Sequence, residues 1–247
     1  MVYNIYSRCT MIDNINIPKH IAIILDGNGR WAERNGHTRN YGHKKGCEAL
    51  VRIAKHARKL KIKYLSLFAF STENWKRPKK EVDYLMSLIK VYLNNYLKDL
   101  KRNNVKVNVL GRRDNLPNDI MMLIDKCEKE TSLNDGMYLN ICFNYGSHEE
   151  IVHAVKDICK DYSLGKININ NLDSDMFSQY LYTKDMPYVD LLIRTSGEMR
   201  VSNFLLWQIA YSEFYFTSKC FPEFTEKDFE EAIENYNKRT RRFGGLK

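Results

Sequence analysis

Short, nearly uninterrupted apolar runs alternate along this chain with longer stretches whose apolar residues recur at helical spacing. That alternation constrains the fold more than any other feature. The runs Ile21–Leu25, Tyr64–Phe70, Val105–Leu110, Met137–Phe143, Val189–Ile193 and Phe214–Thr217 predict strands. The stretches Lys45–Leu60, Lys80–Leu100, Asn118–Thr131, His148–Asp161, Ser174–Tyr182 and Glu226–Tyr236 predict helices. Strands this apolar must be covered on both faces, and the intervening helices supply the cover. The expectation is a single α/β domain with a central, mostly parallel six-stranded sheet flanked by helices. Ligands of such a sheet bind beyond the carboxyl ends of its strands. Residues 1–17 read as a loosely held arm ending at Pro18, and 18–247 as the domain.

The 39 Lys and Arg against 30 Asp and Glu give a formal charge of +9, which calls for an anionic partner without naming it. Six cysteines with no C-x-x-C pair point to reduced thiols in a cytoplasmic protein. No apolar run approaches the ~18–20 residues of a membrane span. The amino terminus carries no secretory pattern either. Contact with a membrane surface stays open.

Three constellations carry chemistry, each where an apolar run ends. In Leu25-Asp26-Gly27-Asn28-Gly29-Arg30-Trp31 two glycines frame an Asn between a carboxylate and a cation. Backbone N–H groups freed by the glycines can turn toward an anion, and Arg30 can add a bidentate contact. Asp26 would repel a bare diphosphate unless Mg²⁺ bridged the two. An ordinary turn with Asp at a strand end explains the pattern about equally well. Arg39 and His43, four apart ahead of the next helix, can extend an anion site. The second constellation is Ser71-Thr72-Glu73-Asn74-Trp75-Lys76-Arg77-Pro78, where an exposed loop Trp calls for burial or a ligand. The third runs from Arg194 through Gly197 to Arg200 and Ser202, two guanidinium groups and hydroxyls around a glycine turn. Glu213 follows in an aromatic stretch, where a carboxylate needs a cation or a metal.

Three such strand ends suggest two phosphorylated substrates held side by side. Nucleic-acid binding is disfavoured, because these basic residues sit at turns and not on stacking platforms. His148 and His153 are five apart and make no zinc helix, and no Asp-Asp pair or G-x-S-x-G occurs.

The stretches Ile21–Ala32, Phe68–Pro78 and Asp190–Phe216 resemble the signature regions of cis-prenyltransferases of the undecaprenyl diphosphate synthase type, and the resemblance runs in order from about Pro18 to Gly245. It implies a homodimer, a hydrophobic tunnel, and sequential condensation of isopentenyl diphosphate onto an allylic diphosphate such as farnesyl diphosphate. It implies Mg²⁺ linked to Asp26, with Glu213 as a second carboxylate near the metal, supplied with its strand close to the dimer interface. Gly27, Asn28, Gly29, Arg30, Trp31, Arg39, His43 and Arg77 then match the allylic diphosphate site, joined by the Ser71, Thr72, Glu73 and Trp75 loop. Arg194, Arg200 and Ser202 match the isopentenyl diphosphate site. Asp26, a diphosphate oxygen, or water positioned by Asn74 are the candidate proton acceptors. Arg242, in a carboxyl-terminal Arg-x-Gly element, is expected to reach across the dimer. Met199 stands where some relatives carry a His. The rival reading is a catalytically silent subunit of a hetero-oligomeric prenyltransferase, which typically lacks the strand-end carboxylate and paired arginines present here.

Overall fold

A computed structural model of the chain describes residues 16–239. Six strands form one sheet: β1 (His20–Ile24), β2 (Tyr64–Ser71), β3 (Val105–Leu110), β4 (Met137–Tyr145), β5 (Leu191–Arg194) and β6 (Glu213–Phe216). Their order is β3-β4-β2-β1-β5-β6, and all five pairings are parallel, so the sheet is wholly and not merely mostly parallel. The helices are α1 (Asn28–Arg34), α2 (Arg39–Lys59), α3 (Lys79–Arg102), α4 (Asn118–Glu130), α5 (Ser147–Ser163), α6 (Ser174–Ser178) and α7 (Glu226–Asn237).

The continuous apolar runs are explained by cover on both faces. Ile21, Ile23, Leu65 and Leu67 face a core shared with Ile53 and Ala57 of α2, Leu93 and Leu97 of α3, Ile120 and Ile124 of α4, and Phe229 of α7. Ala22, Ile24, Cys142 and Leu192 face Phe204, Leu205 and Ile209, which lie between β5 and β6. A polar row crosses this second face. His20 bonds Ser66 Oγ at 2.7 Å, Asn140 donates to the same hydroxyl at 3.0 Å, and Asn108 donates to Asn140 at 2.9 Å.

Three helices differ from the sequence reading. Asn28–Arg34 is a helix, although the segment reads as a turn. Helix α2 starts at Arg39, six residues before Lys45, with the Thr38 hydroxyl accepting from Tyr41 N–H at 3.3 Å. Gly42 and Gly46 mask that start because glycine is a poor helix former. They are required by proximity: a Cβ at Gly42 would lie 2.1 Å from the Asn28 carbonyl oxygen, and one at Gly46 2.3 Å from Asn28 Oδ1. Helix α6 ends at Ser178, short of the expected Tyr182. The expected arm falls almost wholly outside the described residues. Among the five described cysteines all are free, with Cys127, Cys142 and Cys220 buried and Cys159 exposed.

Candidate active site

Strand β1 lies between β2 and β5, and the chain winds away from β1 first toward β4 and later toward β6. The crevice at this reversal is where an open α/β sheet takes its ligand. Asp26 just past β1, Ser71 ending β2 and Arg194 ending β5 all line one cavity of about 700 Å³ there. Three constellations spread over more than 160 residues of sequence thus meet at one sheet end.

Asp26 is clamped between two cations. Its Oδ2 lies 2.9 Å from Arg194 Nη2, its Oδ1 lies 3.0 Å from Arg30 Nη2, and Gly27 N–H donates to Oδ1 at 2.7 Å. Burial opposes ionisation of Asp26, but the hydrogen bonds from Arg194 and Arg30 outweigh it and hold the carboxyl below the usual range. Arg194 also donates to Ser202 Oγ at 2.8 Å and to the Arg200 carbonyl oxygen. Arg30 reaches Ser196 Oγ at 2.7 Å and Glu198 at 2.9 Å, and the other Glu198 oxygen pairs with Arg200 at 2.6 Å. Gly27 sits at φ 95°, and a Cβ there would meet Ser196 and Cys220 within 2.9 Å.

The facing wall is built on Glu81, in the first turn of α3. Its carboxylate takes Arg39 at 3.2 Å, Arg77 at 3.1 Å and His43 Nε2 at 3.0 Å. Burial raises the Glu81 pKa, but hydrogen bonds from Arg39 and His43 outweigh it and the carboxyl stays below its usual value. For His43 burial wins over Glu81, so its pKa is lowered and the ring is neutral at pH 7. With Nε2 donating to Glu81, Nδ1 carries a lone pair, so His43 acts here as an aligner of Glu81 and not as a cation.

Of the residues singled out in the sequence, Asp26, Gly27, Asn28, Gly29, Arg30, Arg39, His43, Ser71, Glu73, Asn74, Arg77, Arg194, Arg200 and Ser202 line this cavity. Trp31, Thr72 and Trp75 do not. Trp31 stacks on Tyr41 and His37. The Trp75 indole donates to Asn144 at 2.8 Å and its ring meets Phe70 edge-on, so the loop Trp is an anchor for its own loop. Thr72 packs at Gly146, where a Cβ would lie 2.6 Å from its hydroxyl. Asn74 Oδ1 accepts from Ser71 N–H at 3.1 Å, which caps the turn and fixes the side chain at the cavity wall.

Glu213 corrects the expected metal set within the chain. It pairs in register with Leu191, which pairs with Ile21, so it lies at the opposite end of the sheet from Asp26. Three residues of strand, about 10 Å, separate its level from Ile24, and Asp26 lies further on. Its carboxylate pairs with Arg239 at 2.8 Å. Arg242 lies outside the described residues. The sequence reading missed Glu81, Glu198 and Asn203, the last donating to Glu73 at 2.9 Å. Glu81 had a signal in its place four residues after Arg77, at the start of an amphipathic helix.

Among the described residues no group of three or more His, Cys, Asp or Glu is arranged to hold a metal. The ionised carboxylate of Asp26 lies two residues before Asn28, the first residue of α1, whose Oδ1 is a buried oxygen with no hydrogen-bond partner. That donor set does not make a dedicated cage. It fits Mg²⁺ as this ion commonly binds, through one or two protein oxygens with phosphate and water completing the shell.

A second, apolar cavity of about 400 Å³ lies between α2, α3 and the sheet, lined by residues including Val51, Leu88, Ile89, Tyr92, Leu93, Leu139 and Phe143. Cys47, Leu50, Ala69 and Leu85 line both cavities, so the two share a wall.

The Prenyltransf family model, described as undecaprenyl diphosphate synthase, matches residues 24–244. An isoprenyl transferase of Fusobacterium nucleatum is 53% identical over 232 residues, covering 94% of this chain and 98% of the relative. An isoprenyl transferase of Thermotoga maritima is 52% identical over 232 residues, covering 94% and 99%. The crystal structure of lavandulyl diphosphate synthase from Lavandula x intermedia in complex with dimethylallyl diphosphate superposes with a TM-score of 0.90 at 37% identity, covering 92% of this chain and 98% of that one.

Proposed function

Because the chain belongs to the undecaprenyl diphosphate synthase family of prenyltransferases, we propose that it adds isopentenyl diphosphate repeatedly to an allylic diphosphate such as farnesyl diphosphate. The product is then a medium-to-long cis-polyprenyl diphosphate, with undecaprenyl diphosphate for a cell-wall lipid carrier as the best-fitting length. The observation that carries this reading is the shared wall between a cation-rich cavity and an apolar one. A prenyl diphosphate has the same division, a doubly charged head on a hydrocarbon tail.

Arg39 and Arg77, aligned by Glu81, bind the allylic headgroup together with Arg30 and the Gly27–Gly29 loop. The relative that holds dimethylallyl diphosphate supports an allylic diphosphate as ligand. Arg194, Arg200 and Ser202 bind isopentenyl diphosphate on the other side of Asp26. Asp26 and Asn28 would hold Mg²⁺ together with substrate oxygens, and the ion would neutralise charge on the departing diphosphate. Arg30 stabilises the same charge by exchanging Glu198 for phosphate oxygens. Asp26 is a weak proton acceptor because two arginines stabilise its charged form, so its part is anchoring. Leu85 and Ile89 guide the lengthening tail into the apolar cavity, which serves as the tunnel.

A homodimer belongs to the proposal. The edge strand β6, with Phe214, Tyr215 and Phe216 only half-buried, supports it, since exposed apolar edges invite a second copy. No helix among the described residues is long and apolar enough to cross a membrane, and a cytoplasmic enzyme meeting its membrane peripherally is the reading adopted.

Incubating the purified chain with farnesyl diphosphate, labelled isopentenyl diphosphate and Mg²⁺ tests the reading. Label should enter an acid-labile polyprenyl product, and none should enter when Mg²⁺ is chelated. No incorporation by the folded chain would favour the silent-subunit alternative.

A further inference from the structure

The apolar cavity opens to solvent at the end remote from the polar one. Lys55, Arg58, Lys59 and Arg102 line it and are themselves exposed, so its far mouth is ringed by cations from the last turns of α2 and α3. From Ala49 to Lys63 the chain carries Arg52, Lys55, Arg58, Lys59, Lys61 and Lys63 with no Asp or Glu. Lys98 and Lys101 continue the ring on α3.

Cations in a helix's last turn are ordinary, because they offset the partial negative charge of its end. That accounts for Arg58, Lys59 and Arg102 but not for Lys61, which lies beyond α2. Acids pair with part of this set: Asp99 with Arg102 at 2.8 Å, Glu226 with Arg52 at 3.3 Å and Glu130 with Lys101 at 4.0 Å. Arg58, Lys59, Lys61 and Lys98 have no ion-pair partner among the described residues.

We propose that this basic ring docks the chain on an anionic lipid surface, with the apolar mouth turned toward the bilayer. Lipid phosphates meet the ammonium and guanidinium groups around the opening, and the opening itself meets hydrocarbon. A nucleic-acid backbone would satisfy the cations but would leave an apolar mouth against a polyanion, so lipid is the better complement. The docking rests on charge and position alone. Its purpose, delivery of a polyprenyl tail into hydrocarbon instead of water, rests on the function proposed above.

Vesicle co-sedimentation of the full chain tests it. The chain should bind phosphatidylcholine vesicles containing phosphatidylglycerol, should not bind pure phosphatidylcholine, and should be released by salt as the charges are screened. Lys61→Glu with Lys98→Glu and Lys101→Glu should weaken binding by at least roughly a hundredfold, about fivefold for each of the three positive charges lost, with the added negative charges increasing the loss. These three side chains lie outside both cavities, so label incorporation in vesicle-free solution should be unchanged. A control of equal charge, Lys76→Glu with Lys79→Glu and Lys80→Glu at the other sheet end, should keep most of the binding. Equal loss in both triple variants, equal binding to neutral vesicles, or RNA bound more tightly than anionic vesicles would overturn the proposal. Sedimentation needs no turnover, so an inactive chain that still binds would sink the enzymatic reading and leave docking intact.

Discussion

Asp26 and Arg194 are joined by a 2.9 Å ion pair across the gap between β1 and β5. This pair is the seam of the site: residues on one side belong to the α1 and α2 loops, and those on the other to the 194–203 turn. Two diphosphates bound on either side of it would be neighbours by construction.

Asp26→Ala should therefore cut turnover more than binding. We expect kcat to fall roughly a hundredfold or more, as when a group that stabilises developing charge is lost, with each KM changed by less than about fivefold. Steady-state kinetics with both substrates varied checks it. A mutant retaining a third of the wild-type kcat would remove Asp26 from the reaction.

The two third-site arginines should behave differently. Arg200 is exposed and free to turn to a ligand, so Arg200→Ala should raise KM for isopentenyl diphosphate by roughly 10- to 100-fold, one charge-assisted contact. Arg194 is buried and holds Asp26, so Arg194→Ala should lower kcat as well. If both variants weakened only the allylic substrate, the two sites would be exchanged.

Glu81→Gln should loosen Arg39, Arg77 and His43 together. We expect a loss of about 2–3 kcal/mol, below the cost of breaking a fully buried pair because both arginines are partly exposed. KM for the allylic substrate should rise more than that for isopentenyl diphosphate. Denaturant melts and paired KM values separate the two effects, and equal KM changes would contradict the assignment.

Stability should fall between pH 6.5 and 4. Burial depresses the His20 pKa to about 4, against the backbone hydrogen bond to Pro187, so the unfolded chain binds a proton in that window that the folded chain refuses. The contribution is fully present above pH 6.5 and lost as pH falls, up to roughly 3 kcal/mol. His43 acts in the same direction. Glu150, raised by burial, acts in the opposite one, losing stability as pH rises past 4.5. Asp26 and Glu81, lowered, matter only below about pH 4.5. Thermal melts from pH 7.5 to 4.5 should be flatter for His20→Gln than for the wild type, and an unchanged slope would exclude His20 as the source.

Product length should respond to only part of the α3 stripe. Leu85 and Ile89 line the apolar cavity, whereas Val82 and Met86 are buried elsewhere in the core. Leu85→Trp or Ile89→Trp should shorten the labelled products. Trp at Val82 or Met86 should instead destabilise by ~1–3 kcal/mol through overpacking and leave length unchanged. The reverse pattern on chromatography would move the tunnel.

The strands were legible in the sequence because a parallel sheet leaves unbroken apolar runs, and each polar cluster stood where a run ended. What could not be read was which strand ends become neighbours. The crossing that puts β5 beside β1 leaves no local trace in either segment. That Glu213 stands apart from Asp26 within one chain was hidden for a related reason: a carboxylate opening a strand reads like one closing it, until register assigns the end. Glu81 stood four residues after Arg77, but its role was hidden because its other partners, Arg39 and His43, come from a segment that only packing brings near. Trp31 stacks on Tyr41 and His37 and Trp75 meets Phe70 edge-on while staying exposed; neither lines the polar cavity, which only the three-dimensional packing of these loops decides.

The central claim is that one substrate spans the wall shared by the two cavities. It is tested most directly by a crystal structure of the chain with Mg²⁺ and an unreactive thio-analogue of farnesyl diphosphate. The account predicts the diphosphate between Asp26 and the Arg39–Arg77 pair, with the tail passing Leu85 toward Ile89. A headgroup bound outside the polar cavity, or a tail directed to the Phe204 face of the sheet, would contradict it.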